Sequence, residues 1–289
     1  MGKMITEWVA VSDRFVIVSR ETGAFWVIEP NGWGDMDPFA APMAGDGTPG
    51  STAGLLNGAV ELGFQGNEEE FRRGTASLPR YMLHLVAAYH NAGRTPGHFR
   101  KAARRLRECD RPEIAAYLEK HAREETGHER LALKDLYELG LPAERIVANL
   151  MPEGIGRLCG LFDRLAASDY PVGCLGYSYC FEFTAAMKQK CHVDALAQLC
   201  PEDVDAARFL RTHSSLGSEV RHVEDLIEFI AGLAAPDRTE IVRAAYETAA
   251  TMAKGLRLET AMSDSEILAA LETAAGEKLR FPAQSADRP

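Results

Sequence analysis

The sequence predicts a mainly α protein, a helical bundle preceded by a small strand-containing N-terminal extension. Helical apolar periodicity runs almost unbroken after residue 70, whereas runs of β-branched and aromatic residues are confined to the part before it. A Glu-x-x-His pair also occurs twice, as Glu125–His128 and Glu219–His222, with a lone glutamate, Glu182, between the copies.

The elements follow in order. Residues 14–19 and 24–28 read as strands, joined by the turn-like Arg20-Glu21-Thr22-Gly23. Residues 30–50 are rich in Gly, Pro and Asp and read as loop, and residues 51–63 form a short helix ending in glycine. An apolar helix is expected over 78–91, closed by Gly93-Arg94-Thr95-Pro96-Gly97, and another over 98–109. One long helix over 111–139 opens at a proline and ends at Gly140. Further helices are expected over 143–166, 170–190, 193–199, 202–233, 237–256 and 263–275. The last starts with Ser263 and Glu266, a capping-box pattern, and residues 281–289 read as a frayed tail. The organisation expected is therefore a strand-containing segment over 1–65 and a helical metal-binding domain over 70–280.

Composition narrows the class. A chain of 289 residues with 46% hydrophobic content can bury a sizeable core. No apolar run approaches the roughly 18–20 residues of a membrane span, and the first residues lack an apolar signal core, so a cytoplasmic protein is expected. Cys109, Cys159, Cys174, Cys180, Cys191 and Cys200 form no C-x-x-C pair and read as small buried hydrophobes in a reducing compartment. A net charge of −10 argues against nucleic acid. Residues 1–70 hold eleven acids and three bases, and residues 71–107 nine bases and no acid. Such runs usually mark solvated or mutually facing surfaces, and a basic segment that draws in an anionic substrate is the sharper alternative.

On a helix, residues three apart share a face, so each Glu-x-x-His pair can aim a carboxylate and an imidazole at one point. Two such pairs with bridging glutamates are how helical bundles hold two iron or manganese ions. Glu182 sits among Tyr177, Tyr179, Phe181 and Phe183, in sequence too apolar for a solvent-facing acid. Its buried charge calls for a metal or a buried arginine. An isolated Glu-x-x-His is weak evidence, and Arg123, Glu124 and Arg130 allow the first pair to lie on an exposed charged helix. His121 lies two turns before His128, as an outer partner of the metal shell. His213 precedes His222 by nine residues, the opposite side of an ideal helix. It joins the metals only through a distortion, for which Ser214-Ser215-Leu216-Gly217-Ser218 is a suitable place. His84 is the least settled of the remaining histidines.

Residues 121–130, followed by Lys134-Asp135-Leu136-Tyr137-Glu138-Leu139-Gly140, resemble the signature helix of haem-oxygenase-like diiron oxidases and oxygenases. Those proteins share a scaffold with pyrroloquinoline quinone synthase (PqqC) and the TenA-like thiaminases. The resemblance covers about residues 75–260 and implies a haem-oxygenase-like helical bundle. Carried over, the family's ligand pattern lands on Glu125, His128, Glu182, His213, Glu219 and His222. The departure is in the last group, where Glu219 stands for an aspartate and two extra residues follow His213. The N-terminal segment resembles PqqD-like peptide-recognition modules, which capture a leader peptide as an added strand. A decorative extension packed on the helical domain is the plainer alternative.

What the resemblance implies is a non-haem diiron oxidase or oxygenase in natural-product biosynthesis. It would use two Fe(II) ions, or manganese, with dioxygen as co-substrate. Glu182 would bridge the metals and Tyr177 stand near the chemistry. The expected partners are a small amino-acid-like or precursor-peptide substrate and a second copy of the chain in a homodimer, with no nucleic acid and no membrane. The alternatives are a cofactor-independent PqqC-like oxidase, a TenA-like hydrolase using Cys180 or Cys174, or a non-enzymatic peptide- or iron-binding protein.

Overall fold

Three antiparallel strands open the chain in the order β1-β2-β3, with β1 at Thr6–Ala10, β2 at Val16–Arg20 and β3 at Phe25–Ile28. The computed structural model describes residues 6–29, 39, 43, 45–66, 77–201, 203–217 and 219–279. The hairpin read from the sequence is β2–β3, and its turn places Gly23 at φ +81°. The sequence reading missed β1. One of its two core-facing positions holds Glu7 beside Val9, which obscures the alternation that marks a half-buried strand.

Helix α1 (Pro49–Phe64) carries a capping box between Thr48 and Ser51. It lies on β2 and on α11 (Ala235–Ala261) so closely that a Cβ at Gly63 would sit 2.5 Å from Ala249 Cβ. Leu55, Leu56, Ala59 and Val60 of α1 share one core with Val9 and Ile17 of the sheet and with Phe99, Ile114, Tyr179 and Ile241.

The long helix α2 (Leu78–Glu108) corrects the expected break at residues 93–97. It passes straight through Pro96, which removes a backbone donor and would normally kink or end a helix. Nearby side chains satisfy backbone oxygens around the lesion. Thr95 Oγ1 donates to the Asn91 carbonyl at 2.9 Å, Arg94 to the His90 carbonyl at 3.0 Å, and His98 Nδ1 to the Arg94 carbonyl at 2.8 Å. Burial of Phe99, Ala102, Ala103 and Leu106 just beyond the proline holds the helix in register.

Elsewhere the chain breaks where one helix was expected. Residues 111–139 divide into α3 (Pro112–Glu124) and α4 (Glu129–Glu138), and residues 143–166 into α5 (Ala143–Asn149) and α6 (Glu153–Ala167) at Pro152. A 3-10 turn at Pro171–Gly173 leads into α7 (Cys174–Ala186), which ends before α8 (Lys190–Ala197). Residues 202–233 divide into α9 (Arg208–Thr212) and α10 (Glu219–Ala231). Helix α12 (Asp264–Ala275) has the Ser263–Glu266 capping box read from the sequence and ends at Gly276 with φ +69°. Two cores result. The larger surrounds α11, and a second gathers Tyr81, Leu85, Leu136, Ile146, Ile267 and Leu271 beneath the N-terminal half of α2. The expected tail over 281–289, most of the loop over 30–50 and Met1–Ile5 fall outside the described residues. Cys159, Cys174 and Cys180 are buried, while Cys191 is exposed. Among the described residues no helix is long and apolar enough to cross a membrane.

The sheet is tied to the bundle by a buried ion pair. Arg238 of α11 is fully buried and pairs with Glu7 of β1, which also accepts from Ser51. The same guanidinium donates to the Leu233 carbonyl at 2.5 Å and the Gly45 carbonyl at 3.1 Å. Removing one member of such a pair strands a buried charge. Arg238→Ala is therefore expected to destabilise the fold by roughly 3–5 kcal/mol in urea unfolding, and the double variant Glu7→Ala/Arg238→Ala by less than the sum of the two single losses.

Candidate metal centre

The first Glu-x-x-His pair lies at a break between helices, which corrects the single-helix reading. Helix α3 ends at Glu124, Gly127 takes φ +97°, and α4 starts at Glu129. That left-handed position suits glycine, and the chain turns tightly around it. The turn still brings the two side chains together, with His128 Nδ1 3.0 Å from Glu125 Oε2. Arg100 and the Ala122 carbonyl fix the turn through Thr126, whose hydroxyl donates to that carbonyl at 2.6 Å.

The second distortion is where the Ser/Gly sequence suggested. His213 caps α9, and the chain turns through residues 214–217 before α10. Both Ser215 N and Ser215 Oγ donate to the Lys188 carbonyl at 3.0 Å, which ties the turn to the end of α7. A Cβ at Gly217 would fall 2.1 Å from the Thr212 carbonyl oxygen, so only glycine fits there. The break removes the geometric objection to His213. Its ligating nitrogen lies within 4.8 Å of ligand atoms of Glu125 and His128, and the rings of His128 and His213 are 4.9 Å apart.

Glu182 comes from α7, an almost wholly buried helix, and is itself 6% exposed. Its Oε1 is 2.5 Å from His121 Nε2 and accepts from Ser178 Oγ at 2.8 Å. No buried arginine meets it among the described residues. His121, expected as an outer partner, is thus in direct contact with the central glutamate. Its ring also lies 5.8 Å from that of His222 on α10. Glu219 opens α10 one turn before His222, but its side chain lies outside the described residues.

The electrostatics join both groups into one centre. Burial pulls the His121 imidazolium down, but the hydrogen bond and charge of Glu182, aided by Glu125, raise it above the ordinary histidine range. Burial pushes the Glu125 carboxyl up, yet His128, His213 and His121 bring it below its ordinary value. Among the described residues, Glu182 Oε2 and His222 Nδ1 are buried without a hydrogen-bond partner. Such groups are costly to bury, and carboxylate oxygens and imidazole nitrogens are donors that a hard-to-borderline cation satisfies.

His121, Glu125, Glu182 and His213 line one end of a cavity of about 390 Å³. Tyr177 forms part of its wall, donating to Asn91 Oδ1 at 2.6 Å and stacked 3.9 Å from Phe162, with its phenol pushed well above the usual range by burial. His84 lines the same cavity, held down to about 3 by burial and by the charge of Lys188. Phe183 does not join the cavity and stacks on Tyr179, which donates to Asn57 of α1 at 2.5 Å. Ser178 and Glu259 are site residues that sequence reading passed over. A serine four residues before a buried glutamate was the available signal for the first, and the second had none.

A solved structure from Shewanella denitrificans OS217, a domain of unknown function with a heme oxygenase-like fold, is similar over 71% of this chain and 89% of its own, at 20% identity and a TM-score of 0.57. That likeness shows the fold, a haem-oxygenase-like bundle. No curated protein matches the chain. Residues 82–253, more than half of the sequence, match the model of a family described as an iron-containing redox enzyme. That match spans Glu125, His128, Glu182, His213, Glu219 and His222 together, and on its extent the chain belongs to this family of iron-containing redox enzymes.

Proposed function

We propose that this protein is a cytoplasmic non-haem diiron oxidase or oxygenase acting on an amino-acid-like or peptide-borne substrate in natural-product biosynthesis. The observation that carries the reading is the convergence of two carboxylate–imidazole groups at one end of an apolar cavity. Glu125, His128 and His213 bring ligand atoms within 4.8 Å of one another, and the His121–Glu182 pair, with the His222 ring 5.8 Å from that of His121, lies beside them. One oxygen of Glu182 is held by His121 and Ser178, and the other is unpartnered among the described residues. Iron bound there would supply the electrons for dioxygen chemistry.

The chain's own residues do the rest. Ser178 and His121 fix the Glu182 carboxylate in one orientation, so that its free oxygen is presented without a rotamer search. Phe99 packs edge-on against the His121 ring at 5.4 Å and Tyr117 stacks on it at 6.0 Å. Phe181, Leu158 and Ala185 on the cavity wall exclude water from the reacting region.

One feature favours this reading over a hydrolase on the same scaffold. Cys174 and Cys180 are buried away from the cavity, and burial pushes the Cys174 thiol up to about 12 and the Cys180 thiol higher still, so neither is a ready nucleophile. For a peptide-borne substrate the available sheet edge is β3, an outer strand whose Trp26 and Val27 are 44% and 40% exposed.

Anaerobic titration with ferrous iron should saturate at about two ions per chain, measured by metal analysis after desalting. Tight stoichiometric zinc with no oxygen reactivity would sink the reading. Glu182→Ala should lower loading of both ions and abolish oxygen consumption, while Glu124→Ala, at a 36% exposed carboxylate 3.9 Å from His121 Nδ1, should change loading and oxygen consumption only a few-fold. Cys174→Ser and Cys180→Ser are expected to keep oxygen consumption within a few-fold of the parent; loss of all turnover in folded Cys180→Ser would point to the hydrolase instead.

A further inference from the structure

The cavity has a second polar pole that the metal centre does not use. It follows α2, lined by His84, Ala88, Asn91 and Thr95 down to Phe99, which packs on His121. Fifteen residues of helix separate His84 from Phe99, or about 22 Å at 1.5 Å per residue. Glu259, in the last turn of α11, lines the same cavity from its other side. Its backbone carbonyl accepts from Arg80 at 2.9 Å, which places it beside the N-terminal turns of α2, at the end remote from His121. At its own helix's C-terminus the macrodipole opposes a negative charge.

Nothing answers that carboxyl among the described residues. It has no hydrogen-bond or ion-pair partner, and Arg80, the nearest cation acting on it, is engaged by Asp264 at 3.4 Å and by the Glu259 and Met262 carbonyls. Facing it from α6 is bare backbone, since a Cβ at Gly154 would lie 3.1 Å from Glu259 Oε1 and 2.8 Å from Gly255 Cα. Glu153 and Arg157 of α6 pair with each other outside. Of the other titratable groups lining the cavity, Lys188 acts on His84, and His192 bonds the Gln189 amide through Nδ1. Burial raises the Glu259 carboxyl to about 7, with Arg80 opposing. A carboxylate so placed gains most from a ligand that brings both positive charge and N–H donors.

We infer that Glu259 is the counter-ion for a substrate ammonium group, and that the substrate reaches from it to the metal centre through an apolar chain. This rests on the reading of the His/Glu cluster as the reactive end. The helix rise along α2 puts the ammonium and the oxidised carbon on the order of 10 Å or more apart. Within the amino-acid-like class, the substrate is therefore an amine whose apolar body is long enough to span that distance.

The test is calorimetric binding of n-octylammonium, n-butylammonium, n-octanoate and n-octanol to the full-length protein, iron-free and iron-loaded. Octylammonium should bind tightest in both forms, ahead of butylammonium by its added apolar surface. Its affinity should rise about tenfold from pH 6 to pH 8 as the carboxyl ionises, the alkylammonium staying charged throughout. Glu259→Gln should lose at least tenfold in octylammonium affinity and most of that pH slope, while binding octanol unchanged. It removes a half-buried, unpaired charge at fixed shape, so it should melt no lower than the parent at pH 8. Tighter binding of octanoate or octanol than octylammonium, or an unchanged affinity in folded Glu259→Gln, overturns the assignment. Metal analysis of the same samples separates the two readings, since failure to load iron defeats the redox function and leaves amine selection standing.

Discussion

The buried carboxylate of Glu182 is the constraint around which this fold is arranged. It projects from an almost wholly buried helix into a region where an isolated charge is costly by several kcal/mol. One oxygen is answered by His121 and Ser178, and the other by no group among the described residues. Several of the elements around it bring an imidazole or a second carboxylate. Helix α3 contributes His121, the α3–α4 turn Glu125 and His128, the α9–α10 turn His213, and α10 His222. A core this polar is stable only if its charges meet one another or a cation.

Helix interruption is the means of assembly. An unbroken helix over 111–139 would still pair Glu125 with His128, but its straight course would fix the direction in which they point. Gly127 at φ +97° releases that direction. In the same way an unbroken helix through 213–222 would send its two histidines to opposite sides, one of them lost to the centre. The turn through Gly217 instead places His213 against His128 and His222 against His121. Where the chain must stay straight the opposite holds. α2 crosses Pro96 without breaking and forms the continuous wall along which the cavity runs.

Charge also organises the outer layers. The Glu7–Arg238 pair joins the sheet to α11, and Arg111 bridges α3 to the start of α11 through Asp237 at 2.6 Å, with Tyr170 donating to the same carboxylate at 2.7 Å. These are opposite charges held in contact, and their role is structural. Glu259, half-buried and without an ion-pair partner among the described residues, differs from them, and that contrast accords with a binding group and not a strut.

The sequence by itself determined the local features. The 3.6-residue periodicity named the helical bundle, the β-branched runs named the β2–β3 hairpin, and Ser263 with Glu266 named the start of the last helix. Spacing and composition likewise singled out Glu125, His128, Glu182 and His222, because carboxylates and imidazoles in apolar helical sequence have few bland explanations. Tertiary structure decided the rest. Strand β1 escaped notice because Glu7 at a core-facing position is answered by Arg238, 231 residues away. The helix through Pro96 and the break at Gly127 were misread because local propensity is worth about 1–3 kcal/mol, less than the packing that overrides it. Whether His121 touches Glu182, where His213 lands and what surrounds Glu259 depend on which helices become neighbours. Those contacts join residues far apart in the chain, and no local pattern records them.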